Sequence, residues 1–448
     1  MSELRRELGT FSAALLVVGG IIGSGIFFTP AEVARALPGG ASILAVWILG
    51  GFLALAGALT YAELGAMLPD AGGPYVYIRR AFGPLPAFLY GWMVLLSIAS
   101  GAIAAVAMGF AGYLGRFVAL APMGGELGVA AATILVLSIT NLVGLRPGVV
   151  LQNVLTGAKI AALAALIVAG FVLWNSMGAP PVVADAPPPR ASLASGFAAA
   201  FVAVLFTIGG WQQMNMVAAE IRDPERTIPR ALLIGILIVV AIYLGANAVY
   251  LRALGRDGLA VSPAVAASAA SRMIGPLGAS FITVSAMISI LGFVNVAILA
   301  NSRLPYALAR DGVFFRAVGM IHPRFGTPHV AILLCGGWSL VLLLASRGEI
   351  GALLSGVVFA DWIFFGLGAA AVFVLRRTMP DAPRPYRAWG YPVVPAFFVL
   401  AAGFGVLSAF VAAPLTSMLG TAMLAAGIVA FRRFEHGAGA SPSAGSER

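Results

Sequence analysis

The chain has 448 residues, of which 60% are hydrophobic and only 10% charged, with 55 glycines and a mean hydropathy of +0.99. Soluble domains carry about a quarter charged residues, so these values exclude a water-soluble enzyme, and at ~20 residues per spanning helix the length accommodates about a dozen spans. The formal net charge of +10, from 27 basic and 17 acidic residues, is spread over short gaps between apolar runs rather than gathered on a soluble face, which excludes a nucleic-acid partner.

In chain order the charge-free intervals are 8–31, 36–62, 81–115, 127–145, 191–219, 231–251, 273–302, 325–346 and 388–431. Two more intervals each carry a single charge: 147–184 holds Lys159 and 350–375 holds Asp361. The interval 388–431 is too long for one helix and divides near Ala412–Pro414. The expectation is an all-α polytopic protein of twelve spans, numbered 1 to 12 in this order, since β-barrel strands do not show such unbroken runs. The first run is too long for a signal h-region and lacks an A-x-A exit, so it reads as a retained span. Nineteen arginines fall in the loops on the side of the N-terminus and seven in the opposite loops. The positive-inside rule then places both termini in the cytoplasm of a multi-pass cell-membrane protein. The Gly/Ser/Ala-rich segment 435–448 is expected to be a disordered tail. Cys335 is the only cysteine, which rules out an intrachain disulfide, and three scattered histidines suggest no metal site. No cofactor is implied.

Two spans carry glycine clusters at mid-membrane: Gly19, Gly20, Gly23 and Gly25 in span 1, and Gly209 and Gly210 before Trp211 in span 6. Gly19-x-x-x-Gly23 also fits a helix-packing face. Glycine costs a helix ~1 kcal/mol relative to alanine, and broken backbone in lipid is tolerated only beside a cavity. Spans 1 and 6 stand at equivalent places in two five-span halves, and paired interruptions of this kind point to a transporter's binding site. Unwinding would free N–H groups at a half-helix N-terminus for an anion and carbonyls for a cation. A zwitterion fits both, with its carboxylate on the Ser24 and Gly25 N–H groups and its ammonium on the carbonyls of Ile21, Phe206 and Gly209.

The sequence resembles the L-type amino acid transporter (LAT) family of the amino acid–polyamine–organocation superfamily. The resemblance rests on Ile21-Ile22-Gly23-Ser24-Gly25-Ile26-Phe27, Tyr61-Ala62-Glu63-Leu64, Gly209-Gly210-Trp211 and Glu220-Ile221-Arg222-Asp223-Pro224-Glu225-Arg226. Ser302-Arg303 through Asp311-Gly312, and Ile321-His322-Pro323, extend it toward the C-terminus. It implies the LeuT-type fold: an inverted five-helix repeat over 1–175, its mate over 190–378, and two trailing helices over 390–434. It also implies a substrate site that includes Ile21, Gly23, Ser24, Gly25, Phe206, Thr207, Gly209, Asn295 and Asp361, with Phe206 as an aromatic gate and Trp211 beside it. Animal members are linked to a glycoprotein heavy chain through a cysteine between spans 3 and 4. The corresponding loop 116–126 has none, so no disulfide-linked heavy chain is expected. The chain departs from the family at Ile208, where many members have Tyr, and at Ala297, which replaces a small polar residue. Asp361 stands where carriers of neutral amino acids often have Asn.

Lys159, about a dozen residues beyond Arg146, is the only lysine. A charged lysine at mid-span costs ~2.5–3.5 kcal/mol even on lenient scales, and its distance from both ends of the span disfavours snorkelling. By resemblance to sodium-independent relatives, its ammonium would take the place of a coupling sodium ion, bracing spans 1, 5 and 8. An amine taken out of water can also release its proton, so Lys159 is a candidate proton site as well. Asp361 allows a structural hydrogen bond, a contact to a polar or cationic substrate, or proton carriage. Glu63 and Glu220, at span ends near arginines, fit structural ion pairs at an inner gate.

The expected function is sodium-independent secondary transport of L-amino acids by alternating access, through exchange or proton linkage. The alternatives are a polyamine or cationic amino acid antiporter and a non-transporting amino acid sensor. There is no Walker A motif, H-E-x-x-H or G-x-S-x-G, so neither an ATP-driven pump nor an enzyme is expected. The expected partners are the amino acid substrate and the lipid bilayer.

Overall fold

The computed structural model describes residues 4–183, 187–189, 192–348, 351–412 and 414–439. These residues form helices with no strand among them; a single isolated bridge joins Leu8 to Ile221. Nine of the helices are long and apolar enough to cross a membrane, and a tenth crossing is made if the bent pair Thr10–Ile21 and Gly25–Ala36 counts as one. His329–Ala345 is apolar but only 17 residues long, and Gly351–Thr378 is a helix of 28 residues. The result is an all-helical polytopic membrane protein.

The helix ends follow local chemistry. Helix Gly40–Met67 is apolar on every side, as a helix packed in a membrane core must be. Pro74, Pro84, Pro224 and Pro276 each occupy the first turn of a helix, where the missing N–H costs nothing. The interval 388–431 does divide where expected, into Val393–Ala412 and Pro414–Gly439. The last helix runs on through Gly439, over the first five residues of the expected tail; residues 440–448 lie outside the described residues. Other boundaries are wider than the charge-free intervals. Span 7 belongs to a helical stretch over Pro224–Val261 that turns sharply at Gly255, because a helix continues past its charged ends into the interface. The stretch that follows the charge-free interval 231–251 contains a further helix at Val265–Ile274.

Span 3 holds an irregularity invisible in its uniform apolar sequence. Between Pro84–Met93 and Ala99–Leu114 it widens into a π turn at Val94–Ile98, and Ser100 Oγ donates to the Leu95 carbonyl at 2.7 Å. Such turns gather at functional sites.

Leu4 and Phe434 lie at one end of the bundle: Leu4 packs on the cluster of Tyr306 and Val318, and Phe434 packs on Phe314 and Phe315. This end is tied shut by ion pairs. Arg303 grips Glu220 with two hydrogen bonds of 2.9 and 2.8 Å, and both side chains are 1% exposed. Arg303 also donates to the Leu299 carbonyl at 2.6 Å and to Ser302 Oγ at 3.0 Å. The backbone of Glu220 meets the N-terminal strap, accepting from the Glu7 and Leu8 N–H groups at 2.9 Å each. Glu63 accepts from Arg376 at 2.8 and 2.6 Å and from the Ala388 N–H at 2.6 Å. Asp311 accepts from Tyr75 and Arg79 at 2.7 Å each. Burial, and then the hydrogen bond to Asp311, raise the Tyr75 phenol above its ordinary value, so it stays a donor throughout the physiological range. The two glutamates thus form the ion pairs expected of them. Truncating Arg303 to alanine is expected to cost about 3–5 kcal/mol, because it strands a buried carboxylate; the loss is read as a lowered unfolding midpoint in detergent. A midpoint within a degree of the parent's would contradict it.

Candidate functional site

Span 1 breaks where the glycines are. Helix Thr10–Ile21 stops at Ile22, Gly23 and Ser24, and helix Gly25–Ala36 continues at an angle of 42°. Span 6 breaks after helix Leu193–Ile208, at Gly209 and Gly210. The two breaks cross each other. Gly210 has φ +103°, and a Cβ placed there would lie 2.1 Å from the Gly20 carbonyl oxygen; one on Gly20 would lie 2.7 Å from that of Gly210. Only glycine fits such a crossing. Gly19 also packs closely, against Gln152 and Thr156, so the packing reading of its motif holds alongside the break.

Around the crossing lies a cavity of about 280 Å³, close to the lower end of small-ligand pockets at ~300 Å³. Ile21, Gly23, Ser24 and Gly25 from span 1, Phe206, Thr207 and Gly209 from span 6, and Asp361 from span 10 all line it. Val94, Ile98 and Ala99, from the π turn of span 3 and the residue after it, form another wall. Phe206 remains 53% exposed at this cavity.

The backbone at the breaks offers both polarities. Helix Gly25–Ala36 starts at the cavity, and among the described residues nothing accepts from the Ser24 and Gly25 N–H groups. The dipole of this half-helix favours an anion there. Helix Leu193–Ile208 ends at the cavity, and the Phe206 and Gly209 carbonyls receive no donor among the described residues. Ile21 differs from expectation. Its carbonyl accepts from the Gly23 N–H at 2.9 Å and from Tyr243 Oη at 3.2 Å, which fills both lone pairs. Tyr243 Oη also lies 3.3 Å from the Thr207 carbonyl, and Thr29 and Thr207 share a hydroxyl hydrogen bond of 2.6 Å. These contacts lock the two broken spans together.

Lys159 lies behind the break, 1% exposed. Its Nζ donates to the Ile22 carbonyl at 2.6 Å and to the Ser289 carbonyl at 3.1 Å. Ser289 Oγ in turn lies 3.0 Å from the Ile22 and Gly23 carbonyls. Gly292 leaves room for the ammonium, since a Cβ there would sit 3.1 Å from Nζ. One amine from span 5 therefore ties the break in span 1 to span 8.

These features are two opposed half-helices around a cavity and a buried lysine amine hydrogen-bonded to the break in one of them. A family model described as amino acid permease matches residues 8–431. The chain belongs to that family. It is 31% identical over 435 residues to the cystine/glutamate transporter of Pongo abelii, covering 96% of this chain and 86% of that one. Against the human b(0,+)-type amino acid transporter 1 it is 33% identical over 421 residues, 92% and 84% of the two chains. Against the human large neutral amino acids transporter small subunit 2 it is 32% identical over 435 residues, 95% and 79%. The family and these relatives are transporters, not enzymes, and the relatives place this permease among the LAT-type members.

Two of the residues expected at the site stand apart from the permease cavity. Asn295, fully buried, donates to the Gly148 carbonyl at 3.0 Å and to Gln152 Oε1 at 2.9 Å, and accepts from Asn141 at 2.9 Å. Its amide is consumed in joining spans 4, 5 and 8. Trp211 is buried against Tyr61, Phe365 and Phe398, with ring centroids 4.8, 6.0 and 5.9 Å away, one layer behind the cavity. Conversely, sequence reasoning missed Tyr243, Ser289 and Thr29. Each is one of several polar residues in a mostly apolar span, with nothing local to distinguish it from the others.

Proposed function

We propose that this permease is a sodium-independent secondary transporter of L-amino acids, working by alternating access and by exchange. The carboxylate of the substrate is held by the Ser24 and Gly25 N–H groups, and its ammonium by the Phe206 and Gly209 carbonyls. Its side chain points toward spans 3 and 10. The observation that carries this reading is the pair of unfilled half-helix ends, one donor and one acceptor, facing the same cavity.

In this reading the twelve spans form two inverted repeats, over 1–175 and 190–378, with a trailing pair over 390–434. Both termini are cytoplasmic and the membrane is the cell membrane, as the arginine distribution indicates. The sealed end with the Glu220–Arg303 and Glu63–Arg376 pairs is then the cytoplasmic gate, closed. Phe206 is the outer gate, and Trp211 supports the thin layer beneath the substrate. Sodium independence follows from Lys159. The Ile22 and Ser289 carbonyls converge on one cation, and that cation is covalently part of span 5, so no dissolved ion is needed to brace the break. A disulfide to a partner chain would have to use Cys335, which is buried, so none is proposed.

Purified protein in vesicles preloaded with a mixture of unlabelled amino acids tests the reading. Uptake of a labelled amino acid is expected to be stimulated strongly over that into empty vesicles. Uptake that follows an imposed pH gradient and ignores the internal amino acid would replace exchange with proton symport. Saturable binding without flux would make the protein a sensor.

A further inference from the structure

Asp361 is the one charged residue among the described residues lining the cavity, and recognition of the α-amino and α-carboxyl groups does not use it. It lines the cavity from span 10 and makes no hydrogen bond or ion pair with any described residue. Glu7, Glu63, Glu220 and Asp311, by contrast, are each held by an arginine. The one lysine of the sequence is already committed, with Lys159 Nζ donating to the Ile22 and Ser289 carbonyls, and among the described residues no Lys, Arg or His lines the cavity. A carboxylate inside a membrane without a counter-charge is expensive, and removing one partner of a buried pair is costly for the same reason. A partner arriving with the substrate would remove that penalty.

We propose that the permease selects amino acids with a cationic side chain, and that Asp361 is the residue that meets the side-chain ammonium or guanidinium. This deepens the proposed function and rests on the reading of the cavity as an amino acid site. The remaining walls suit such a cargo. Val94, Ile98 and Ala99 present an apolar surface to an aliphatic stem. Trp362 and Phe365, which also line the cavity, lie beside Asp361 on the same helix. Their rings can add a cation–π contribution. A lysine- or ornithine-like substrate would thus satisfy three features at once: the half-helix ends, the apolar wall and the unpaired carboxylate.

The test compares lysine and ornithine with norleucine, which has a stem like that of lysine and no side-chain ammonium, as competitors of labelled-substrate exchange in vesicles. Lysine or ornithine is expected to compete at a concentration about tenfold or more below that of norleucine, the scale of a buried charge pair. In Asp361→Asn that preference is expected to vanish through loss of lysine affinity, while norleucine still competes; Asp361→Glu is expected to keep it. Should Asp361→Asn fail to fold, ligand-induced shifts of the unfolding midpoint of the parent protein give the same comparison, lysine stabilising more than norleucine. Exchange that favours norleucine in the parent protein, or an unchanged lysine-to-norleucine ratio in Asp361→Asn, would overturn the inference and leave amino acid transport standing. If no amino acid competes, binds or stabilises, the proposed function falls with it.

Discussion

Replacing Lys159 with alanine is expected to lower exchange by about a hundredfold, on the scale of two lost charge-assisted hydrogen bonds at ~1.5–3 kcal/mol each. Among the described residues the lysine amine is the only group reaching from span 5 to both the Ile22 carbonyl, at 2.6 Å, and the Ser289 carbonyl, at 3.1 Å. Without it, the break in span 1 keeps the Ser289 hydroxyl, 3.0 Å from Ile22 and Gly23, and loses its tie to span 5. The half-helix Gly25–Ala36 then no longer has a fixed geometry to pass through the transport cycle. Folding depends less on this tie, because removing the lysine also removes the cost of holding a charge in the membrane. The variant should therefore purify as a single species and bind substrate while failing to move it. Parallel measurements of substrate-induced thermal stabilisation and of vesicle exchange separate the two. Full exchange activity in Lys159→Ala would remove the lysine from the mechanism.

Gly210→Ala is expected to eliminate both binding and flux. A methyl group there falls 2.1 Å from the Gly20 carbonyl oxygen, in a backbone with φ +103° that alanine rarely adopts. Backbone on both sides blocks relief, so the broken ends of spans 1 and 6 must separate, and the facing donors and acceptors lose their register. Overpacking of this kind typically costs 1–3 kcal/mol, and here the cost falls on the site itself. Gly337→Ala is the matched control: it lies in helix His329–Ala345, and its Cβ would meet nothing within 4 Å. Binding retained in Gly210→Ala would mean that the crossing is not the substrate site.

The legible parts of the site were those where sequence departs from what a membrane helix prefers. Glycines at 19–25 and 209–210 break an apolar run, and the breaks lie at those residues. Lys159 and Asp361 stood out as single charges in apolar intervals; one is buried behind the break and the other lines the cavity. The parts that stayed hidden depend on which neighbours a side chain meets. The Ile21 carbonyl is filled by Tyr243, 222 residues away in sequence, and Asn295 is spent on Gly148, Gln152 and Asn141. Nothing in either residue's own surroundings announces this. The π turn at Val94–Ile98 was likewise illegible, since every residue there but Ser97 is aliphatic. Helix lengths were underestimated for a simple reason. Charge-free intervals mark the hydrocarbon core, whereas helices such as Pro224–Val261 extend through the interface on either side.

In the proposed mechanism a tethered ammonium does the work of a coupling ion in an amino acid carrier. It is tested most directly by the initial rate of labelled amino acid uptake into preloaded vesicles, with sodium outside and then with sodium replaced by choline. The same rate is expected in both. Uptake that collapses on removal of sodium would contradict it.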